Sequence, residues 1–508
     1  MAGLLLRTRK GVLDQTDQAA FDALKGRLAG GTAPLLVHLH GGLVSQDSGE
    51  ETANRLMGSG AHAYNVPAPW EQVYFIWRTG LFEQVFAHWR DLHDNDRLYR
   101  ALLERLLGFI GGKVTAPTGR SVAGEAGLSP AEIRARLEAR TDAPFADLDA
   151  MAGADRRGRA AEVTELSRFD FEQQLSAILH SDRDFTEAAA DISAAIAPSV
   201  GRASDHGDPR GGAPMLARLD GAVQAELEAQ VAAAPDGAGG RAGLVSLGTL
   251  KSLVSHALKI GWRVYQRVRT GRDHGTHATI VEEILRELYA NLIGGTIWQG
   301  MKEDAAAHFA GGGAGAMLLD AIEAAAKRPI LLVGHSAGAI WASEMLLEMA
   351  RRKSKVKVDL VLLAPAVRGR LFAEAIAAAA GQIERFRMFC MGDARERLDP
   401  VMGKGTGFLY PSSLLYLVSG LFEADGDADA VDAPLLGLER FRKWQGGALG
   451  PAEDAAAGAI RAFLAGKDHA EVYAEEDSGA GRRSDGRSHG GMDDDTGTLE
   501  SVATFFLP

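Results

Sequence analysis

The sequence predicts an α/β fold: a mostly parallel central sheet flanked by helices, with a long, mainly helical insertion ahead of one strand. Three observations predict it. Short continuous apolar runs recur at residues 34–39, 73–78, 330–333, 358–366 and 385–391, the pattern of strands buried on both faces. The run at 330–333 passes through a small-residue turn into a helix-forming stretch at 339–349. Residues 89–272 are far longer than a crossover between parallel strands requires, and they carry helical patterns at 131–138 and 171–179.

Taken in chain order, the first strand, 34–39, runs into His40-Gly41-Gly42-Leu43. The strand at 73–78 follows. The insertion then contains two polar, Gly-rich stretches, 201–212 and 232–243, which read as loops. An insertion at this point would lie over the carboxyl ends of the strands as a cap or lid. Helical character returns at 280–289. The predicted organisation is therefore an N-terminal core part (1–88), an inserted cap (89–272) and a C-terminal core part (273–508). An apolar segment at 410–422 either packs the core or lines a pocket, and an amphipathic segment at 499–506 closes the chain.

Composition bounds the chemistry. The chain has 508 residues, 46% of them hydrophobic, enough for a large core. A net charge of −12 gives no general attraction to nucleic acid. The single cysteine, Cys390, excludes an intrachain disulfide and suits a reducing, cytoplasmic setting. Residues 1–10 lack the charged-then-apolar order of a signal peptide, and no apolar run is long enough to span a bilayer.

The most informative stretch is Gly334-His335-Ser336-Ala337-Gly338. A G-x-S-x-G pentapeptide between a strand and a helix holds a serine oxygen up at the end of the sheet. Bulky side chains at Gly334 or Gly338 would collide with backbone in so sharp a turn. The following helix N-terminus favours developing negative charge. A serine nucleophile also needs a histidine base, an acid that orients it and donors for an oxyanion. Only His469 and His489 lie far enough beyond Ser336. His469 reads as the start of a last strand, whereas His489 lies in a loop before the last helix, where a base belongs. The acid is expected in the loop after the strand at 385–391. Asp393 is nearest the strand end and is the first choice, ahead of Glu396 and Asp399. The glycine-rich turn at His40-Gly41-Gly42 leaves backbone N–H groups open to an oxyanion. Gly42, Leu43 and, just after the nucleophile, Ala337 are the expected donors. His38 and His40 share a strand face, but no third ligand clusters with them, so His40 is read as ordering the loop. Asp493-Asp494-Asp495 is read as negative charge at a helix start.

On His40-Gly41-Gly42, Gly334-His335-Ser336-Ala337-Gly338, the acidic loop after Met391 and His489, the chain resembles the α/β-hydrolase superfamily, over roughly its first hundred and last two hundred residues. The resemblance implies hydrolysis of an ester, thioester or amide through an acyl-enzyme, without cofactor or metal. A small-molecule or lipid carboxylic ester is the expected substrate, as in a serine esterase or lipase. The reading from another class is a catalytically inactive hydrolase-fold scaffold that binds a ligand or protein.

Overall fold

A computed structural model describes residues 3–42, 45–77, 82–115, 128–151, 166–199, 212–232, 241–290, 295–423, 432–444 and 449–507. Its centre is an eight-stranded sheet of β1 (Leu4–Arg9), β2 (Val12–Leu13), β3 (Leu35–Leu39), β4 (Glu71–Trp77), β5 (Ile330–His335), β6 (Val358–Leu363), β7 (Ile383–Cys390) and β8 (His469–Tyr473). The spatial order is β2-β1-β4-β3-β5-β6-β7-β8. Only the edge pair β1–β2 is antiparallel; the other pairs are parallel. The α/β class read from the apolar runs is the class observed.

Alternation along the strands divides the interior in two. Val37, Val73, Phe75, Leu332, Leu360, Leu362 and Met388 point to one face and pack with the helices Gln18–Gly30, Gly338–Arg351 and Gly369–Ala379. Leu36, Tyr74, Leu331, Val333, Val361, Leu363 and Phe389 point to the other, beneath the helices Gln46–Met57 and Thr496–Ala503.

Register sets the ends of the strands level. Leu39 pairs with Gly334, His335 with Leu363, Leu363 with Phe389, and Cys390 with Tyr473. The turns that follow β3, β5 and β7 therefore emerge along one edge, which gathers residues from distant parts of the sequence.

Between β4 and β5 the described residues are mainly helical. Helices Arg97–Thr115, Arg168–Ser181, Arg183–Ser199 and Arg241–Arg269 pack on one another, and helix Thr276–Leu288 packs on the first and last of these. Leu106, Phe171, Leu175 and Val264 belong to the same continuous apolar cluster as Leu332 and Trp341, so the helical layer shares a core with the sheet. A buried polar network ties this layer to the segment before the C-terminal helices. Glu282 accepts from Arg267 Nη1 at 2.7 Å and from Tyr410 Oη at 2.6 Å. His274 stacks on Tyr416 with ring centroids 4.2 Å apart. A Cβ on Gly420 would collide with the Glu282 carboxylate.

The stretch at 201–211 and residues 233–240 lie outside the described residues. No helix among the described residues is long and apolar enough to cross a membrane.

Candidate active site

The turn after β5 has the geometry its small residues allow. Ser336 is held at φ +51°, a left-handed conformation that a non-glycine residue adopts only when its surroundings enforce it. Its N–H donates to Leu363 O at 2.8 Å, and its carbonyl accepts from Ala366 N–H at 3.0 Å and Ala339 N–H at 3.1 Å. Those bonds to the neighbouring strand end fix the strained residue. A Cβ on Gly338 would lie 2.4 Å from Leu39 O, and one on Gly334 would lie 2.9 Å from the carbonyl carbon of Gly338. Neither position has room for any side chain.

The turn after β3 packs directly on this elbow. A Cβ on Gly41 would lie 3.5 Å from Ser336 Cβ, and one on Gly42 would lie 2.8 Å from Ala337 Cβ. His40 ties the turn down. Its Nε2 accepts from Trp77 N–H at 3.2 Å, so Nδ1 carries the proton and donates to Gly41 O at 2.5 Å. Ala337 is the N-cap of helix Gly338–Arg351, so its own N–H is not used by the helix. Gly42 and Ala337, two of the expected oxyanion donors, thus lie side by side next to Ser336. Leu43, the third, is outside the described residues.

His489 sits in a short turn, His489–Gly491, ahead of helix Thr496–Ala503. Its Nε2 is 2.9 Å from Ser336 Oγ. Burial, and then the charge of His335, push the imidazole down to about 3. It is therefore uncharged at neutral pH, the form able to accept a proton. Its Nδ1 is buried with no hydrogen-bond partner. His469 opens β8 instead; its Nδ1 bonds Phe463 O at 2.5 Å and its ring packs on Phe463.

The three acids of the loop after β7 go to different places. Asp393, the expected orienting acid, accepts from Tyr416 Oη and is paired with Arg397 at 2.6 Å. Through Tyr416 it belongs to the buried network of the helical layer, and no hydrogen bond joins it to His489 Nδ1. Glu396 is fully buried, and burial raises its carboxyl to about 8. It is uncharged at neutral pH. Asp399 is the one that reaches the histidine: its Oδ2 accepts the main-chain N–H of His489 at 2.8 Å. Burial raises the Asp399 carboxyl, and the His489 N–H and Arg395 oppose that rise.

Two groups to which the sequence assigns no part in the site also meet there. His335, the variable residue of the pentapeptide, places Nδ1 3.1 Å from Asp493 Oδ2 and Nε2 3.1 Å from His489 O. Asp493 is also held by Arg55 Nη2 at 3.1 Å. Of the three consecutive aspartates, Asp495 alone caps the last helix, accepting from Thr498 N–H at 2.7 Å. Asp493 faces the site, four residues beyond His489.

Ser336 and His489 open on a cavity of about 210 Å³ whose apolar wall is Phe86, Val401 and Leu414. Leu414 comes from the apolar segment after Tyr410. Among the described residues, no group of three His, Cys, Asp or Glu is arranged to hold a metal ion. No protein-family model, curated protein or solved structure matches the chain.

Proposed function

We propose that this chain is a serine hydrolase of the α/β-hydrolase type that cleaves a carboxylic ester, in the manner of an esterase or lipase. The observation that carries the reading is the 2.9 Å contact between His489 Nε2 and Ser336 Oγ at a strained elbow facing a cavity. In this reading the Ser336 oxygen attacks the carbonyl carbon while its proton passes to His489 Nε2. The tetrahedral oxyanion is held by the N–H groups of Ala337 and Gly42. The carbon–oxygen bond to the alcohol then breaks, and His489 returns the proton to the leaving oxygen. Water repeats the sequence on the acyl-serine and releases the acid.

For the orienting acid we favour Asp399 over Asp393. A carboxylate that already accepts the main-chain N–H of His489 is tethered to the residue whose Nδ1 needs it. Asp393 is engaged by Tyr416 and Arg397.

One observation favours the second reading, an inactive hydrolase-fold scaffold: His489 Nδ1 has no partner, and an unoriented imidazole is a poor base. Labelling with a fluorophosphonate separates the two. The hydrolase reading expects stoichiometric labelling of the chain and none in Ser336→Ala. Absence of labelling in the parent chain overturns it in favour of the scaffold.

A further inference from the structure

Both ring nitrogens of His335 face acceptors, a carboxylate oxygen of Asp493 and the carbonyl of His489. A neutral imidazole has one N–H and can satisfy only one of them; an imidazolium satisfies both. The ring is buried, so an unsatisfied nitrogen would have no water to turn to. We infer that His335, as an imidazolium paired with Asp493, is a positioning residue for the hydrolysis: it pins the main chain of His489 against Ser336 and disfavours a second positive charge on the His489 ring. This rests on the hydrolase reading above.

The groups around His335 bear this out from each side. On the last turn of the chain, Asp493 supplies the counter-charge and is itself clamped by Arg55, whose Nη1 also donates to Asp493 O at 2.8 Å. On β3, His38 and His40 are uncharged at neutral pH: burial lowers them to about 3 and about 4. On the other side lies the His489 ring, with centroids 5.6 Å apart. Burial alone would lower His335; the Asp493 charge, the bond to it and the His489 carbonyl reverse this, and the net direction is up. Asp493 moves the opposite way. Burial would raise it, but His335 and Arg55 hold it at about 2. The pair is therefore ionised through the whole acidic range in which a histidine base ordinarily fails. Two like charges at this separation oppose each other, so the positive charge on His335 keeps His489 in its proton-accepting form as the pH falls.

The test is the rate of fluorophosphonate labelling of Ser336 between pH 4.5 and pH 8.5, in the full chain and in His335→Asn and His335→Gln. The parent is expected to keep labelling well below the ordinary histidine value of about 6.5. In both variants the acidic limb should move up, so that labelling at pH 5 falls several-fold relative to the rate at pH 8, while burial still holds the limb below about 6.5. A purely structural role would lower the rate equally at every pH and leave the limb in place, and that result overturns the inference. If neither variant folds, nitrogen NMR of the parent's imidazoles decides: a charged His335 beside a neutral His489 at about pH 6 supports the inference, and a neutral His335 overturns it. Absence of labelling in the parent overturns the hydrolase reading and this inference with it; labelling with an unmoved limb overturns the inference alone.

Discussion

Asp399 accepts the main-chain N–H of His489 at 2.8 Å, while the Nδ1 of that same histidine has no partner. The carboxylate is tied to the right residue and lacks only the side-chain bond. That bond would fix the tautomer with the proton on Nδ1, leaving Nε2 to accept from Ser336. Asp399→Asn is expected to lower kcat by roughly 10³ to 10⁴, because its amide would hold the wrong tautomer. The asparagine oxygen can still accept the main-chain N–H, so the turn should stay folded. Asp393→Asn should lower kcat far less and act mainly on thermal stability, through Tyr416 and Arg397. Steady-state kinetics of both variants on an aryl ester decides; an inactive Asp393→Asn beside an active Asp399→Asn would return the role to Asp393.

The strain at Ser336 gives a prediction about stability. A left-handed φ of +51° costs a side-chain-bearing residue about 1–2 kcal/mol, and glycine pays about 0.5–1 kcal/mol in extra chain entropy. Ser336→Gly should therefore be more stable than Ser336→Ala by about 1 kcal/mol, although both abolish labelling. Denaturant unfolding of the two variants measures the difference. Equal stability would mean that the backbone relaxes when the serine is lost.

The two glycine turns should fail in different ways. Gly338→Ala puts a methyl group 2.4 Å from the carbonyl oxygen of Leu39. Rigid strand backbone cannot yield, so loss of fold is expected. Gly42→Ala meets Ala337 Cβ at 2.8 Å and the flexible end of Met301 at 2.9 Å. The turn can shift, at modest cost in stability, but its N–H moves away from the oxyanion. A loss of roughly 10² to 10³ in kcat is expected, the size found on removing one oxyanion donor. A folded Gly42→Ala with full kcat would remove that residue from the mechanism.

Buried histidines set the pH dependence of stability. Burial lowers His38, His277 and His489 to about 3 and His40 and His308 to about 4. Below about 6.5 the unfolded chain protonates these side chains and the folded chain does not. The unfolded state then binds more protons, so stability falls as the pH falls. Each histidine contributes up to about 1.4 kcal/mol per pH unit over this window. His335 opposes the trend, because its raised value stabilises the fold at low pH and loses that contribution as pH rises through it. The net expectation is a Tm that drops steeply from pH 7 to pH 5. Calorimetric scans across that range check it; a flat Tm would mean that these rings are hydrated.

What the sequence made legible follows from what its residues do locally. β5 and the elbow could be read because a doubly buried strand is a continuous apolar run and the tight turn admits only small residues. β1 could not: the apolar run in Leu4–Arg9 is short and broken by Arg7 and Arg9, so no local pattern marks it as a strand. Its strand character comes from pairing with β4. The approach of His489 to Ser336 was legible from chain order, but which acid approaches His489 was not. Asp393, Glu396 and Asp399 share one loop with similar flanks, and the partners that set Asp393 and Asp399 apart, Tyr416 and the His489 main chain, lie 23 and 90 positions further along the sequence. His335 and Asp493 escaped for the same reason: their pairing is a tertiary fact.

Acyl-chain preference is the last expectation, and it separates the helical layer from the cavity wall. An insertion that served as a lid would place selection of substrate in its helices, for instance at Leu175 or Ile178. Leu175 is fully buried, with its side chain 2.6 Å from where a Cβ on Gly261 would stand. It packs helix Arg168–Ser181 on helix Arg241–Arg269 and is not in the wall of the Ser336 cavity. Leu175→Ala should therefore cost about 2–5 kcal/mol of stability, as cavity-forming core truncations do, with little change in preference. Phe86, Val401 and Leu414 form the apolar wall. A cavity of about 210 Å³ is small beside the ~300–1,000 Å³ of ordinary ligand pockets, so short acyl groups should be preferred by the parent chain. Leu414→Ala and Phe86→Ala should move the optimum of an aryl-ester series to longer chains, through KM more than through kcat. The series on all three variants is the measurement. A shifted optimum in Leu175→Ala, with none in Leu414→Ala or Phe86→Ala, would put selection back in the helical layer.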